Sequence, residues 1–197
     1  MSLIIPEGDF DAYIFDCDGT LADTMPLHYR AWCAALAEHK AEFPEALFYE
    51  LGGVPTETII EILNERHGHR MPVKETAQYK ESLYLQLIPE ILPIEPTVAI
   101  VNELYGNKPM AVASGGHRAI ITETLSALGI LDKFDALVGA EDYENGKPAP
   151  DPFLEAARRL GVAPARCLAF EDTQTGLISA RAAGMQTVLV PPPSRGT

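Results

Sequence analysis

At 197 residues the chain fits one domain of ordinary size, or one domain with a smaller insertion, and leaves no room for a large multidomain assembly. Hydrophobic residues make up 47% and charged residues 22%, an ordinary globular balance, so a chain of this length should bury about 70% of its extended surface. Setting 15 basic against 28 acidic residues leaves a formal charge of -13, the wrong sign for neutralising nucleic-acid phosphates or lying on an anionic membrane; a small anion is still admissible where a metal ion inverts the field locally.

The first ten residues, Met1 to Phe10, carry Glu7 and Asp9 and no basic n-region, and no uncharged apolar run approaches the roughly 18 residues of a membrane span. Cys17, Cys33 and Cys167 are an odd, widely spaced set without a CxxC, which encodes neither a disulfide framework nor a zinc site. A soluble, cytoplasmic monomer is the expectation, with no nucleic-acid or membrane partner.

Ala12 to Phe15 is a short apolar run that reads as a strand. From Thr24 to about Leu92 the pattern is helical instead, with segments at Pro26 to His39, Pro44 to Leu51, Pro55 to Arg66 and Lys74 to Ile88, prolines suiting first turns. This predicts a helical insertion after the first strand. Its two ends, near Asp23 and Thr24 and at Leu92 to Pro96, could act as the hinge of a lid. Thr97 is placed to cap the next helix, stopped by Gly106.

Strand-like runs then recur at Met110 to Ala113, Asp135 to Val138, Cys167 to Phe170 and Thr187 to Val190. They are mostly uninterrupted rather than alternating, as strands buried on both faces of a parallel sheet require. Between them lie helical stripes ending at Gly129, Gly161 and Gly184, the second opened by Asp151-Pro152. The alternation predicts an open α/β sheet with right-handed crossovers. The proline-rich tail from Pro191 reads as extended, without a role.

In such sheets ligands bind beyond the carboxyl ends of the strands. The strand exits here offer Asp16-Cys17-Asp18-Gly19-Thr20, then Ser114-Gly115-Gly116, then Gly146-Lys147-Pro148, then Glu171-Asp172. Asp16 and Asp18 suit a polar turn, or a pair in which one carboxylate attacks a phosphoryl group while the other protonates the leaving oxygen and then deprotonates water. Ser114 suits a helix start, or a hydroxyl on a phosphate oxygen at a helix N-terminus. Lys147 would be a surface lysine in isolation; beside the other exits it supplies the cation that an anionic nucleophile and an anionic phosphate need. Neighbouring side chains at a strand end diverge, so of Glu171 and Asp172 one is expected to bind metal and the other to support it, Asp172 being the ligand. An all-oxygen set with a phosphate substrate points to Mg2+. His67-Gly68-His69 lacks a third ligand nearby and reads as a turn, and neither a dinucleotide fingerprint nor a P-loop is present.

Phe15 to Thr20 (FDCDGT), Ala113 to Gly116 (ASGG), Gly146 to Pro152 (GKPAPDP), Phe170 to Gly176 (FEDTQTG) and Ala180 to Met185 (ARAAGM) resemble, in order and spacing, the motifs of the haloacid dehalogenase superfamily of phosphotransferases. The resemblance spans nearly the whole chain and implies a doubly wound, mostly parallel Rossmann-like core over residues 1–23 and 93–197, with an inserted α-helical cap over 24–92. It further implies Asp16 as nucleophile, Asp18 as acid/base and backbone metal ligand, Ser114, Gly115 and Lys147 on the phosphate, and Glu171 with Asp172 at Mg2+, which Asp16 also ligates. Asp18 argues against the dehalogenase branch.

Within the superfamily the chain is most similar to β-phosphoglucomutases and fructose-1-phosphatase-like sugar-phosphate phosphatases. Thr24 and His28 resemble hinge residues of both groups. In the cap loop Gly53-Val54-Pro55-Thr56-Glu57, Thr56 stands where the mutase pattern carries arginine, and His117 stands where it carries lysine. Losing two cations weakens any distal phosphate site, which favours hydrolysis of a small phosphorylated sugar over mutation. Thr24, His28 and Thr56 are the expected substrate contacts, with Trp32 and Leu51 also tuning substrate range. The alternatives are a β-phosphoglucomutase and, from another class, a catalytically idle binding protein on the same fold.

Overall fold

The structure is a computed structural model that describes residues 3–51, 54 and 56–193. Gly53 and Pro55 of the cap loop, and tail residues 194–197, lie outside the described residues. The chain separates into two compact units, Met1–Thr24 with Ile91–Thr197, and Met25–Glu90.

The first unit is a five-stranded, all-parallel sheet in the order β3-β2-β1-β4-β5, formed by β1 (Ala12–Phe15), β2 (Met110–Ala113), β3 (Ala136–Val138), β4 (Cys167–Glu171) and β5 (Gln186–Leu189). Side chains alternate across it, so the inner strands feed two cores. One face carries Phe15, Val112, Phe170 and Val188 against Val98, Val101, Ile121 and Leu125. Phe15 and Phe170, paired in register on β1 and β4, stack at 4.7 Å. The other face is built from small residues, Ala12, Ala111, Ala113 and Ala169, which let Phe153, Ala156 and Ala180 pack closely. Helices therefore cover both faces: α5 (Glu95–Leu104) and α6 (Arg118–Ala127) on the first, α7 (Asp151–Leu160) and α8 (Gln174–Ala182) on the second.

Some boundaries differ from the sequence reading for local reasons. Thr97 does not cap α5. The helix begins two residues earlier behind Ile94, and Thr97 is fully buried with its Oγ1 lacking a hydrogen-bond partner among the described residues. Asp135 precedes β3 rather than joining it, and its carboxylate accepts the Met110 N–H at 2.9 Å. The last strand begins at Gln186, one residue early. The glycine stops behave as read: Gly161 has φ 67°, the left-handed turn that ends α7.

Among the described residues the second unit holds α1 (Met25–Ala37), α2 (Glu45–Glu50), α3 (Thr56–His67) and α4 (Val73–Leu87). They enclose a core of Trp32, Leu36, Phe43, Phe48, Ile60 and Leu63. The first of them ends earlier than read, at Ala37, where the chain turns back through Lys40 at φ 52°. The segments on either side of this unit in sequence pair with each other inside the first unit: Asp23 N–H donates to Leu92 O and Ile94 N–H to Leu21 O, both at 2.9 Å. Among the described residues no helix is long and apolar enough to cross a membrane.

Candidate active site

Strand order reverses direction at β1, with β2 and β3 on one side and β4 and β5 on the other. The carboxyl end of β1 at such a reversal is the general location of ligand sites in open α/β sheets. Asp16 follows β1 directly, its N–H donating to Phe170 O at 2.9 Å, so its carboxylate is held at this point.

Lys147 reaches the same point from the loop before α7. Its Nζ donates to Asp16 Oδ1 at 2.6 Å and to Glu171 Oε1 at 2.7 Å. All three side chains are nearly closed to solvent, Lys147 at 12% exposure, Asp16 at 8% and Glu171 at 2%. Burial opposes the charge on Lys147, but the two carboxylates outweigh it and hold the ammonium above the ordinary lysine value. Burial pushes the Asp16 carboxyl well above the usual carboxylate range, Glu171, Asp172 and Asp18 push the same way, and Lys147 opposes them.

Glu171 has no free oxygen: Oε2 accepts from the Thr173 N–H at 2.7 Å and from its Oγ1 at 2.8 Å. Thr173 also caps α8 by accepting the Gly176 N–H, so one residue fixes both the helix start and the glutamate. Asp172 is held more loosely, by Thr20 Oγ1 at 3.3 Å. Burial, then the charge of Glu171, raises its carboxyl to about 7. Oxygens of Asp16, Glu171 and Asp172 all lie within 4.8 Å of one another. Two glycines make room for this packing. A Cβ on Gly19 would collide with the Asp172 carboxylate, and φ 84° there also disfavours other residues; a Cβ on Gly176 would collide with Glu171. Three carboxylates against one ammonium, an all-oxygen donor set and a raised Asp172 together fit a hard divalent cation.

Asp18 is half-buried and lies outside that group of three; its backbone bridges to Ala22. Ser114 is buried, and its Oγ accepts the Gly116 N–H at 3.1 Å. Contrary to the sequence reading, Ser114 is not at a helix N-terminus: α6 begins at Arg118, and the Arg118 N–H is already taken by Glu141. Gly115 is exposed, with nothing within 4 Å of the place a Cβ would occupy. Thr24 is fully buried and its Oγ1 has no hydrogen-bond partner among the described residues.

In the second unit His28 stacks on Tyr84 at 3.8 Å, and its Nδ1 lies 3.0 Å from Lys80 Nζ. Burial, then Lys80, keeps the imidazole well below its ordinary pKa and therefore neutral. Thr56 Oγ1 donates to Glu81 at 2.9 Å. Trp32, read as a residue tuning substrate range, is 2% exposed and packs edge-on against Phe43 in that unit's core, while Leu51 lies half-buried against the same cluster. His67 and His69 line a surface cleft with Lys40, Glu42 and Pro44.

Sequence reasoning missed Lys80, Thr173, Tyr143 and Glu141. Thr173 was within reach, as a threonine directly before a helical run is a cap signal. Lys80 sits in an amphipathic helix like any surface lysine, and its 3% exposure arises only from tertiary packing. Tyr143, whose hydroxyl donates to Ser114 O at 3.0 Å, carries no local signal.

These motifs on this fold define a class. The chain belongs to the haloacid dehalogenase-like hydrolases, whose pattern it matches over residues 13–190. It is 38% identical over 176 residues to the fructose-1-phosphate phosphatase YqaB of Escherichia coli, covering 89% of this chain and 93% of that protein. Among solved structures it resembles CbbY from Rhodobacter sphaeroides in complex with phosphate, with a TM-score of 0.82, 25% identity and coverage of 92% and 86%. A β-phosphoglucomutase from Clostridium difficile aligns with a TM-score of 0.74, 30% identity and coverage of 90% and 83%.

Proposed function

We propose that the protein is a Mg2+-dependent phosphatase of small sugar phosphates, of the fructose 1-phosphate kind, acting through an aspartyl phosphate on Asp16. The observation that carries this reading is Lys147 bridging Asp16 and Glu171 beside Asp172 at the sheet's reversal point. The similarity to a fructose-1-phosphate phosphatase supports the substrate class.

Asp16 attacks phosphorus, forming an O–P bond as the bond to the sugar oxygen breaks, and Asp18 donates its proton to that oxygen. Asp18 then takes a proton from water, whose oxygen displaces Asp16 and releases inorganic phosphate. Ser114, Gly115 and Lys147 bind the phosphate oxygens, and Lys147 offsets the repulsion between nucleophile and substrate. Asp16, Asp172 and the Asp18 backbone would hold Mg2+, which would neutralise phosphate charge when bound. Glu171, with both oxygens engaged, serves chiefly to fix Lys147.

A second reading, interconversion of β-glucose 1-phosphate and glucose 6-phosphate, is favoured by the likeness to the β-phosphoglucomutase. Phosphorus NMR of a hexose phosphate panel with Mg2+ and trace hexose bisphosphate separates the two. The expected result is growth of inorganic phosphate, whereas isomerised glucose phosphate with little free phosphate overturns it. Asp16→Asn should lower kcat by about 10^4-fold or more while leaving the fold intact by circular dichroism; retained turnover would refute the aspartyl-phosphate step.

A further inference from the structure

The N-terminus of a helix attracts anions through its free N–H groups and dipole, and α6 presents one immediately after the Ser114 loop. Here that position is filled from within the protein. Glu141 accepts the Arg118 backbone N–H with both oxygens, at 3.1 and 3.2 Å, and His117 Nδ1 and Arg118 Nε lie 3.5 and 3.8 Å from the same carboxylate.

The neighbouring residues fix Glu141 in place. Ala140 N–H donates to Gly116 O at 2.9 Å, and Tyr143 donates to Ser114 O. Asp142 takes the Gly139 N–H at 2.9 Å, the Arg118 guanidinium at 3.0 Å and Arg159 at 2.7 Å. Successive residues of one short turn thus grip the loop that holds Ser114. The fit is close: a Cβ on Gly139 would lie 2.8 Å from Glu141 Oε2 and 3.0 Å from Gly116 O. Gly116 is also near the catalytic pair, since a Cβ there would lie 3.9 Å from Asp18 Oδ2. Glu141 therefore sits beside the loop that carries Ser114 and Gly116. Backbone N–H donors, its own first and then that of Arg118, keep its carboxyl below the usual range and hence ionised.

We propose that Glu141 is a specificity-determining residue that restricts the site to substrates carrying a single phosphate. A sugar bearing a second phosphate would find the Arg118 N–H and its flanking cations already engaged by a fixed carboxylate, and an unfavourable contact of this kind discriminates as effectively as a favourable one. The inference rests on the phosphatase reading and refines its substrate class.

Glu141→Gln tests it, because the amide oxygen can still accept the Arg118 N–H while the charge and the second acceptor oxygen are lost. With fructose 1-phosphate and fructose 1,6-bisphosphate as probes, the ratio of kcat/KM for bisphosphate over monophosphate should rise about threefold or more at low ionic strength. The gain should shrink with added salt, since the carboxylate is 36% exposed and screened. A purely structural role would depress both substrates together and leave the ratio unchanged, which would overturn the proposal. Independent of turnover, the rise in Tm given by each probe with Mg2+ should grow selectively for the bisphosphate in the variant. If the wild-type protein hydrolyses no monophosphate, the phosphatase reading fails, yet a selective Tm gain still supports the role of Glu141 and an unchanged Tm response refutes it.

Discussion

Lys147 is the residue on which the charge balance of the site turns. It is the cation directly bonded to Asp16 and Glu171, and both carboxylates are almost wholly removed from water. Removing one partner of a buried ionic cluster leaves uncompensated charge, which costs far more than a surface pair does. Lys147→Ala should therefore lower stability by about 3 kcal/mol in urea unfolding at neutral pH, besides abolishing phosphate binding. Added Mg2+ should restore part of the stability but not the activity, since a divalent ion can neutralise the carboxylates without orienting the phosphate. An unaltered urea midpoint would mean that the carboxylates take up protons at little cost. The two glycines beside the acids act at the same scale: the backbone of Gly19 and Gly176 leaves the space into which Asp172 and Glu171 project.

At the scale of elements, β1 organises the first unit. Its alternating residues feed both cores, and its carboxyl end delivers Asp16 to the point where strand order reverses. Helix α7 follows the Lys147 loop, and Glu155 ties it internally to Arg158 at 2.7 Å and Arg159 at 2.7 Å. Arg159 in turn reaches Asp142, linking α7 to the turn that grips the Ser114 loop. Hydrogen bonds from Arg158, then Arg159, hold the Glu155 carboxyl at about 2, below its ordinary 4.5. Because the folded value is the lower one, this contribution is present above 4.5 and is lost as the pH falls through about 2. Glu155→Gln should thus cost about 1 kcal/mol or less at neutral pH, a surface-pair magnitude, and the gap to wild type should close on acidification. Urea midpoints across that range check it; a pH-independent gap would indicate lost packing instead.

For the whole molecule, the concentration of carboxylates makes metal binding a stability effect as well as a chemical one. A ligand that binds only the folded state stabilises it by mass action, about 2.7 kcal/mol at a hundredfold excess over Kd. Mg2+ should raise the Tm, a chelator should reverse the rise, and Asp172→Asn should blunt it, as measured by calorimetry. A wild-type Tm indifferent to Mg2+ would remove the proposed cation site. The overall charge of -13 adds to this expectation, since diffuse cation screening should also raise Tm modestly and must be matched with monovalent salt.

Residue order alone was enough to foresee the parallel sheet, because uninterrupted runs such as Met110–Ala113 are tolerated only where both faces are buried. It also fixed which strand exits carry acids and the lysine, since a side chain's position along the chain determines where a parallel strand delivers it. The capping of α5 was not legible, because burial of Thr97 against the core outweighed its hydrogen-bonding preference. Nor was the setting of Ser114, where a carboxylate 27 positions away in the chain, on Glu141, occupies the terminus of the helix that follows. The same holds for Lys80, drawn into the second unit's core beside His28, and for Lys147 between its two acids. Local sequence sets propensity and periodicity, whereas long-range packing sets which charges lose their water and which partners they meet, and that is what gives this site its chemistry.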